Sequence, residues 1–469
     1  MFLDQNRSMS SSTMAVKPAK EIKSKSKRHV RIQVPVPGPR AQEIIKRDQG
    51  AIMTSTKSGP IVAARGEGVL ITDVDGNVMM DFASGVGVVG TGHCHPHVVE
   101  SVKKQAEELM HFAGTDFYYE VQTRLAERLA KSAPGSAPKK VFFTNSGAES
   151  VEAALKMARW QSGRAITVGL IGAFHGRTMG ALTMTASRPV QRRRFNAFVG
   201  GGTHIPAPYC YRCPYKLEYP SCGLYCAKIL DELYFSSVLP PEDVAAFLAE
   251  PVMGEGGYVV PPKDYFQTIQ KIIKPYGILH IDDEVQAGVG RTGKMWAIEH
   301  FGVAPDIITS AKALGSGIPI GAVIFDKKLD YPIQGAHSNT FGGNLVACAA
   351  ANATLDVMDR EKLLENASRQ GVYLKKRLEE LKGKYDAIGD VRGVGLMVAT
   401  EFVKNRQSKE PATALRDEIE QEAYRRGLIL LGCGKSSLRY IPPLIVQEEH
   451  IDEAVEILDA SIAHALKNA

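Results

Sequence analysis

The chain has 469 residues, 44% hydrophobic and 23% charged, with a formal net charge of +6. That length supports two or more domains with large cores. No apolar run is long enough to span a membrane, and so small a charge excess does not suit a dedicated nucleic-acid binder.

The first stretch, residues 1–31, is rich in Ser and Lys and poor in large apolar residues. It reads as a disordered basic tail. It has no apolar core of the secretory type, and its lysines outnumber its arginines, which fits a transit peptide poorly. A cytoplasmic protein is expected, with Met9 or Met14 as alternative starts.

From about residue 60, short aliphatic runs alternate with amphipathic stretches. Residues 97–110 place Val98, Val99, Val102, Ala106 and Leu109 near one helical face, and 120–131 repeat this with Val121, Leu125 and Leu129. VFFTN (141–145) predicts a buried strand, and ESVEAALKMARW (149–160) a helix. AITVGLIG, VAAFLAE, YGILHID and DIITS are further strands, most with a helical pattern nearby. This alternation implies an α/β fold with a largely parallel sheet covered on both faces. Helices predicted at 362–383 and 449–466 suggest a second, smaller α+β domain.

In open parallel sheets, ligands bind beyond the carboxyl ends of the strands. Several chemical groups fall there. TNSGAES (144–150) joins strand to helix through Ser146, Gly147 and Ala148, small enough for backbone N–H groups to approach a phosphate. Its plainer reading is a well-started helix. AFHGRT (173–178) offers Phe174 to stack on a flat ring, or as core, and His175 as a hydrogen bonder. YGILHIDDEVQAGVGRTG (276–293) runs a buried strand into acids that need a cationic or hydrogen-bonding partner. SAKALGSG (310–317) puts Lys312 among small residues at the end of another strand. HSNTFGGN (337–344) offers Thr340 to a phosphate, or only as the start of the next helix. Together these supply a lysine nucleophile, an acid for a ring nitrogen, an anion cradle and an aromatic face. Pyridoxal phosphate needs that combination.

GTGHCHP (90–96), TNSGAES, FHGRT, EPVMGEGG (250–257), DDEVQAGVGRTG, SAKALGSGIPIGA and TFGGN follow in order. In these motifs the chain, from about residue 50 to 465, resembles the class III (subgroup II) aminotransferases: ornithine, acetylornithine and 4-aminobutyrate aminotransferases, with related amino-acid racemases. The resemblance implies the fold-type I architecture, with a mainly parallel seven-stranded sheet. It implies an N-terminal segment of the small domain at 32–85, a large cofactor-binding domain at 86–355 and a C-terminal small domain at 356–469. It also implies a homodimer, or dimer of dimers, with active sites at the subunit interface.

Carried over motif by motif, Lys312 would form the Schiff base with pyridoxal 5'-phosphate, and Asp283 would hold the pyridine nitrogen protonated. Gln286 would reach the ring hydroxyl, Phe174 would stack on the ring, and His175 would lie beside it. Ser146, Gly147 and Ala148 would bind phosphate, helped by Thr340 from the partner subunit. Arg439, in LRYIPPL, would bind a substrate carboxylate and pair with Glu250. Burial and the cationic ring would depress the Lys312 pKa, as a nucleophilic amine requires. Thr115 and Asp116, in GTDFYYE (114–120), lie where the family places substrate contacts; Asp116 would pair with the second ammonium of ornithine, or only cap the helix at 120. This puts ornithine first as amino donor, with 2-oxoglutarate as acceptor, and 4-aminobutyrate second. A racemase or epimerase on the same scaffold is the rival reading, and a non-enzymatic interaction protein a remote one.

Two features depart from the family. Ser316 stands where many relatives have Gly. Cys210, Cys213, Cys222 and Cys226 form C-x2-C-x8-C-x3-C, compact enough for zinc. The spacing is irregular against common zinc patterns, so no metal is the first expectation. Disulfides and simple reduced thiols are the alternatives.

Overall fold

The computed structural model describes residues 28–195 and 200–468. The expected basic tail lies outside these residues except for positions 28–31.

Seven strands build the central sheet: β1 (Lys139–Thr144), β2 (Ile166–Leu170), β3 (Gly202–Ile205), β4 (Val244–Ala249), β5 (Leu279–Asp283), β6 (Ile307–Ser310) and β7 (Gly321–Asp326). Their order is β1-β7-β6-β5-β4-β2-β3. From β6 to β3 every neighbouring pair is parallel, whereas β7 runs antiparallel to both β1 and β6. All six residues of β4 are buried, as expected of a strand covered on both faces.

The helix Gly147–Ser162 packs across this sheet through Val151, Ala153, Ala154, Leu155, Met157 and Ala158. Its small residues let the backbone come close. It stops at Gly163, whose φ of 69° suits a glycine C-terminus. The helix Leu345–Arg360 is likewise rich in alanine and packs against Pro96–Glu108 and Glu120–Ser132. The domain boundary expected at 355/356 therefore falls inside a continuous helix.

The remaining strands form two four-stranded sheets. One joins Ala63–Glu67, Leu70–Asp73 and Val78–Asp81 to Leu428–Ile429, which pairs in parallel with Val78–Asp81. The N-terminal strands thus share a sheet with the C-terminal part of the chain. The other sheet joins Ile388–Val394, Met397–Phe402, Ser437–Tyr440 and Leu431–Cys433 in that order. Helices Leu363–Lys384 and Glu448–Lys467 lie close to the stretches predicted for them.

The topology decides where the chemistry goes. β1, β2, β4, β5 and β6 end at Thr144, Leu170, Ala249, Asp283 and Ser310. The segments 145–148, 171–175, 250–257, 283–286 and 311–317 follow directly, and they gather at one end of the sheet.

Candidate active site

A cavity of about 430 Å³ opens at that end. Ser146, Gly147, Ala148, Phe174, His175, Glu250, Asp283, Gln286 and Lys312 all line it. Nine residues read from separate motifs therefore meet at one site. Asn145, Arg177 and Val285 also line it and were not anticipated.

Lys312 follows β6 directly and opens a tight turn over Lys312–Leu314. Its φ is +41°, a left-handed value that a lysine seldom adopts. Ser316, also at positive φ, accepts the backbone N–H of Thr91 at 3.2 Å, and the two hydroxyls lie 2.7 Å apart. The serine that departs from the family ties the lysine turn to the GTGHCHP loop. Burial lowers the Lys312 pKa, against the opposing charges of Asp283 and Glu250. That favours the neutral, nucleophilic amine.

Asp283 ends β5 and is held on three sides. Its Oδ1 accepts the Val285 N–H and the Thr309 hydroxyl, each at 3.0 Å. Its Oδ2 lies 2.7 Å from His175 Nδ1. His175 is set by its own backbone N–H, which donates to Thr185 Oγ1 at 2.9 Å. His175 Nε2 and Gln286 Oε1 are buried polar atoms with no protein partner. Orphaned groups of this kind around a cavity call for a ligand that satisfies them.

Ser146 caps the helix Gly147–Ser162, its hydroxyl accepting the Glu149 N–H at 3.3 Å. A Cβ on Gly147 would stand 2.6 Å from Val285 Cγ1, so only glycine fits between the cavity floor and that side chain. The three small residues leave backbone N–H groups at the start of a 16-residue helix, an anion site in the making. The residues present fit pyridoxal phosphate: a buried amine, a fixed carboxylate for a ring nitrogen, an unpaired amide oxygen and a phosphate cradle.

One expectation is overturned. Glu250 does not pair with Arg439. It sits after β4 and uses both oxygens on backbone, accepting Phe174 N–H at 2.9 Å and Gly254 N–H at 2.7 Å. Burial raises its pKa to about 7, with the nearby Asp283 adding to the rise and His175 opposing it. The partner of Arg439 is Glu255, at 2.5 Å. Burial alone would push Glu255 up, but Arg439 outweighs it and holds the carboxyl below the ordinary range. Two glutamates five positions apart in EPVMGEGG gave no signal in sequence to tell them apart. Arg439 lies on the strand Ser437–Tyr440, and its charge and that of Glu255 both act on Lys312.

Thr115, Asp116 and Thr340 do not join this cavity in their own chain; all three are exposed. Asp116 does not cap the following helix either, because Tyr119 is the N-cap residue there. Its carboxylate accepts the Thr115 hydroxyl at 3.3 Å.

Comparison with known proteins agrees with this site. The aminotransferase class-III family model matches residues 52–462. An alanine/serine racemase of Pyrococcus horikoshii is 37% identical over 444 residues, covering 93% of each chain. A probable 4-aminobutyrate aminotransferase of Bacillus subtilis is 37% identical over 420 residues, covering 89% of this chain and 96% of that one. Among solved structures, an amine transaminase from an uncultivated Pseudomonas species, in a form described as PLP-bound, superposes with a TM-score of 0.82 at 32% identity, covering 88% of this chain and 98% of that one. The chain belongs to the class-III aminotransferases, enzymes that depend on pyridoxal phosphate.

Proposed function

We propose that this enzyme is an ω-aminotransferase, taking the terminal amino group of a 4-aminobutyrate-like donor and passing it to 2-oxoglutarate. The Arg439–Glu255 bridge carries this reading. An ω-donor presents no carboxylate beside its reacting amine, so a neutralised guanidinium suits it. 2-Oxoglutarate has a carboxylate at each end, and the one beside its reacting carbonyl, which an ω-donor lacks, would displace Glu255 from Arg439. One site then serves two differently shaped substrates.

Bound pyridoxal phosphate supplies the electron sink that makes the proton beside the reacting amine removable. The protein does the rest. Lys312 Nζ would hold the cofactor, and as a neutral amine it would take up and return that proton. Asp283, fixed by His175, Thr309 and the Val285 amide, would keep the ring nitrogen protonated. Ser146, Gly147 and Ala148 would hold the phosphate.

Ornithine has less support than the sequence suggested. Asp116, on which it rests, is exposed and outside the cavity of its own chain. Glu250 and Asp283, the carboxylates lining the cavity, are already engaged. Ornithine would need Asp116 of a second subunit. We also propose a homodimer. Phe112, Phe117, Tyr118 and Phe341 are exposed, with Phe112 stacked on Phe117 and His111 against Phe341. That apolar face sits beside Thr340, which would reach the partner's phosphate site.

A second reading, a racemase, is favoured by the likeness to the alanine/serine racemase. The half-reaction separates them. Holoenzyme is mixed with 4-aminobutyrate, 5-aminovalerate or L-ornithine without keto acid, and the cofactor absorbance is followed. Loss of the resting band with an ω-amino acid, restored by 2-oxoglutarate with release of glutamate, is the expected result. No conversion by any of them, with L-alanine turned to its D form, would make the racemase reading correct.

A further inference from the structure

The geometry points to a metal site outside the catalytic centre: we propose that Cys210, Cys213, Cys222 and Cys226 bind one zinc-type divalent ion that staples the loop between β3 and β4. All four cysteines line one small cavity of about 20 Å³, walled by Tyr209, Tyr215 and Tyr225. A space of that size is near what a single water-sized sphere occupies. One shared space, rather than two separate ones, brings the four residues together.

The loop itself carries little regular structure. Between Cys210 and Cys226 its regular structure is one short turn, Cys210–Arg212, and the start of the helix Tyr225–Ile229. A loop of this length without secondary structure needs a staple or its own core. None of the four thiols is in a disulfide. On binding a divalent cation, four thiols release four protons to solvent and four thiolates take the ion. No three of the sulfurs lie within 4.8 Å of one another, so the side chains must rotate inward to reach about 2.3 Å from an ion.

The staple has something to support. Tyr209 and Arg212 both bond Glu401. Glu401 also pairs with Arg392 at 2.7 Å. Arg392 in turn donates to the Gly257 carbonyl at 2.6 and 2.9 Å and to Ser437 Oγ at 2.9 Å. Gly257 is two residues from Glu255, and Ser437 two from Arg439. The cysteine loop therefore abuts the buried network behind the carboxylate gate.

The test is metal analysis of purified holoenzyme prepared without chelator, with thiols counted under denaturing, non-reducing conditions. About one zinc per chain is expected, released in step as a mercurial titrates four thiols. The double variant Cys210→Ser/Cys213→Ser should purify with pyridoxal phosphate and without zinc. Cobalt(II) added to metal-stripped wild type should give the strong visible bands of tetrahedral thiolate coordination. Metal-free protein with all seven thiols free would overturn the proposal, as would two disulfides, or zinc retained by the double variant. If that variant fails to fold, the wild-type metal content, the thiol count and the cobalt spectrum still decide.

Discussion

Arg439 donates to Glu255 across 2.5 Å, and both lie close enough to Lys312 for their charges to act on it. Glu255, rather than Glu250, is thus the acid that competes with a substrate carboxylate for the guanidinium. The two glutamates should respond differently to substitution.

Glu255→Ala leaves Arg439 buried and unneutralised. Removing one partner of a buried pair costs on the order of 3–5 kcal/mol when nothing replaces it. 2-Oxoglutarate replaces it; an ω-donor does not. KM for 2-oxoglutarate should fall or hold, while kcat/KM for the ω-donor should drop about tenfold or more. Stopped-flow half-reactions with each substrate measure the split. Equal losses on both sides would remove the gate.

Asp283→Asn should fold, because the remaining oxygen still accepts from Val285 and Thr309 and the new amide can face His175 Nδ1 in its other tautomer. Only the charge is lost. kcat should fall at least about a hundredfold with pyridoxal phosphate still bound. His175→Asn places a nitrogen near the Nδ1 position and should keep more activity than His175→Ala. A similar loss in both would mean that His175 does not act by positioning Asp283.

Gly147→Ala sets a methyl 2.6 Å from Val285 Cγ1. β-branched Val285 has few rotamers with which to retreat. The phosphate cradle should open and the Kd for pyridoxal phosphate rise about tenfold, the size of one lost charge-assisted hydrogen bond. Adding Val285→Ala should restore most of the affinity. Absence of rescue would show that the loss has another cause.

Much of this site was legible in the sequence because its chemistry sits directly after strands. β5 and β6 each read as an aliphatic run ending in a functional residue, and both appear within a few positions of where they were expected. β7 was missed as a pattern: GAVIFD follows a Gly- and Pro-rich turn and has no helix before it. Its antiparallel direction comes from that short connection, since a parallel neighbour would require a crossover. The Glu250–Arg439 pairing was misread for a different reason. Glu250 belongs to a strand end, where acids commonly act, whereas Glu255 lies in a Gly-rich turn whose path only the folded backbone defines. Asp116 and Thr340 are exposed and lie apart from the cavity of their own chain, and only the proposed dimer would bring them to such a site.

The last prediction concerns stability. Asp282 and Glu284 flank Asp283 and are both fully buried. Burial and then the charge of Glu284 raise Asp282 well above the carboxylate range. Burial raises Glu284 to about 8, although it accepts the Ile298 N–H at 2.8 Å. In the unfolded chain Glu284 releases its proton near 4.5. Between those values the native state therefore binds more protons than the unfolded state, and stability must fall as pH rises. The loss is up to roughly 1.4 kcal/mol per pH unit per proton, fully in force from about pH 5 and exhausted above about 8. Glu284→Gln keeps an acceptor for Ile298 and carries no proton to lose. Its unfolding free energy, from urea titrations across pH 5 to 9, should decline less steeply than that of the wild type, with the variant gaining relative stability at the alkaline end. Parallel slopes for the two proteins would show that Glu284 is ionised in the native state throughout, and that another group sets the pH dependence.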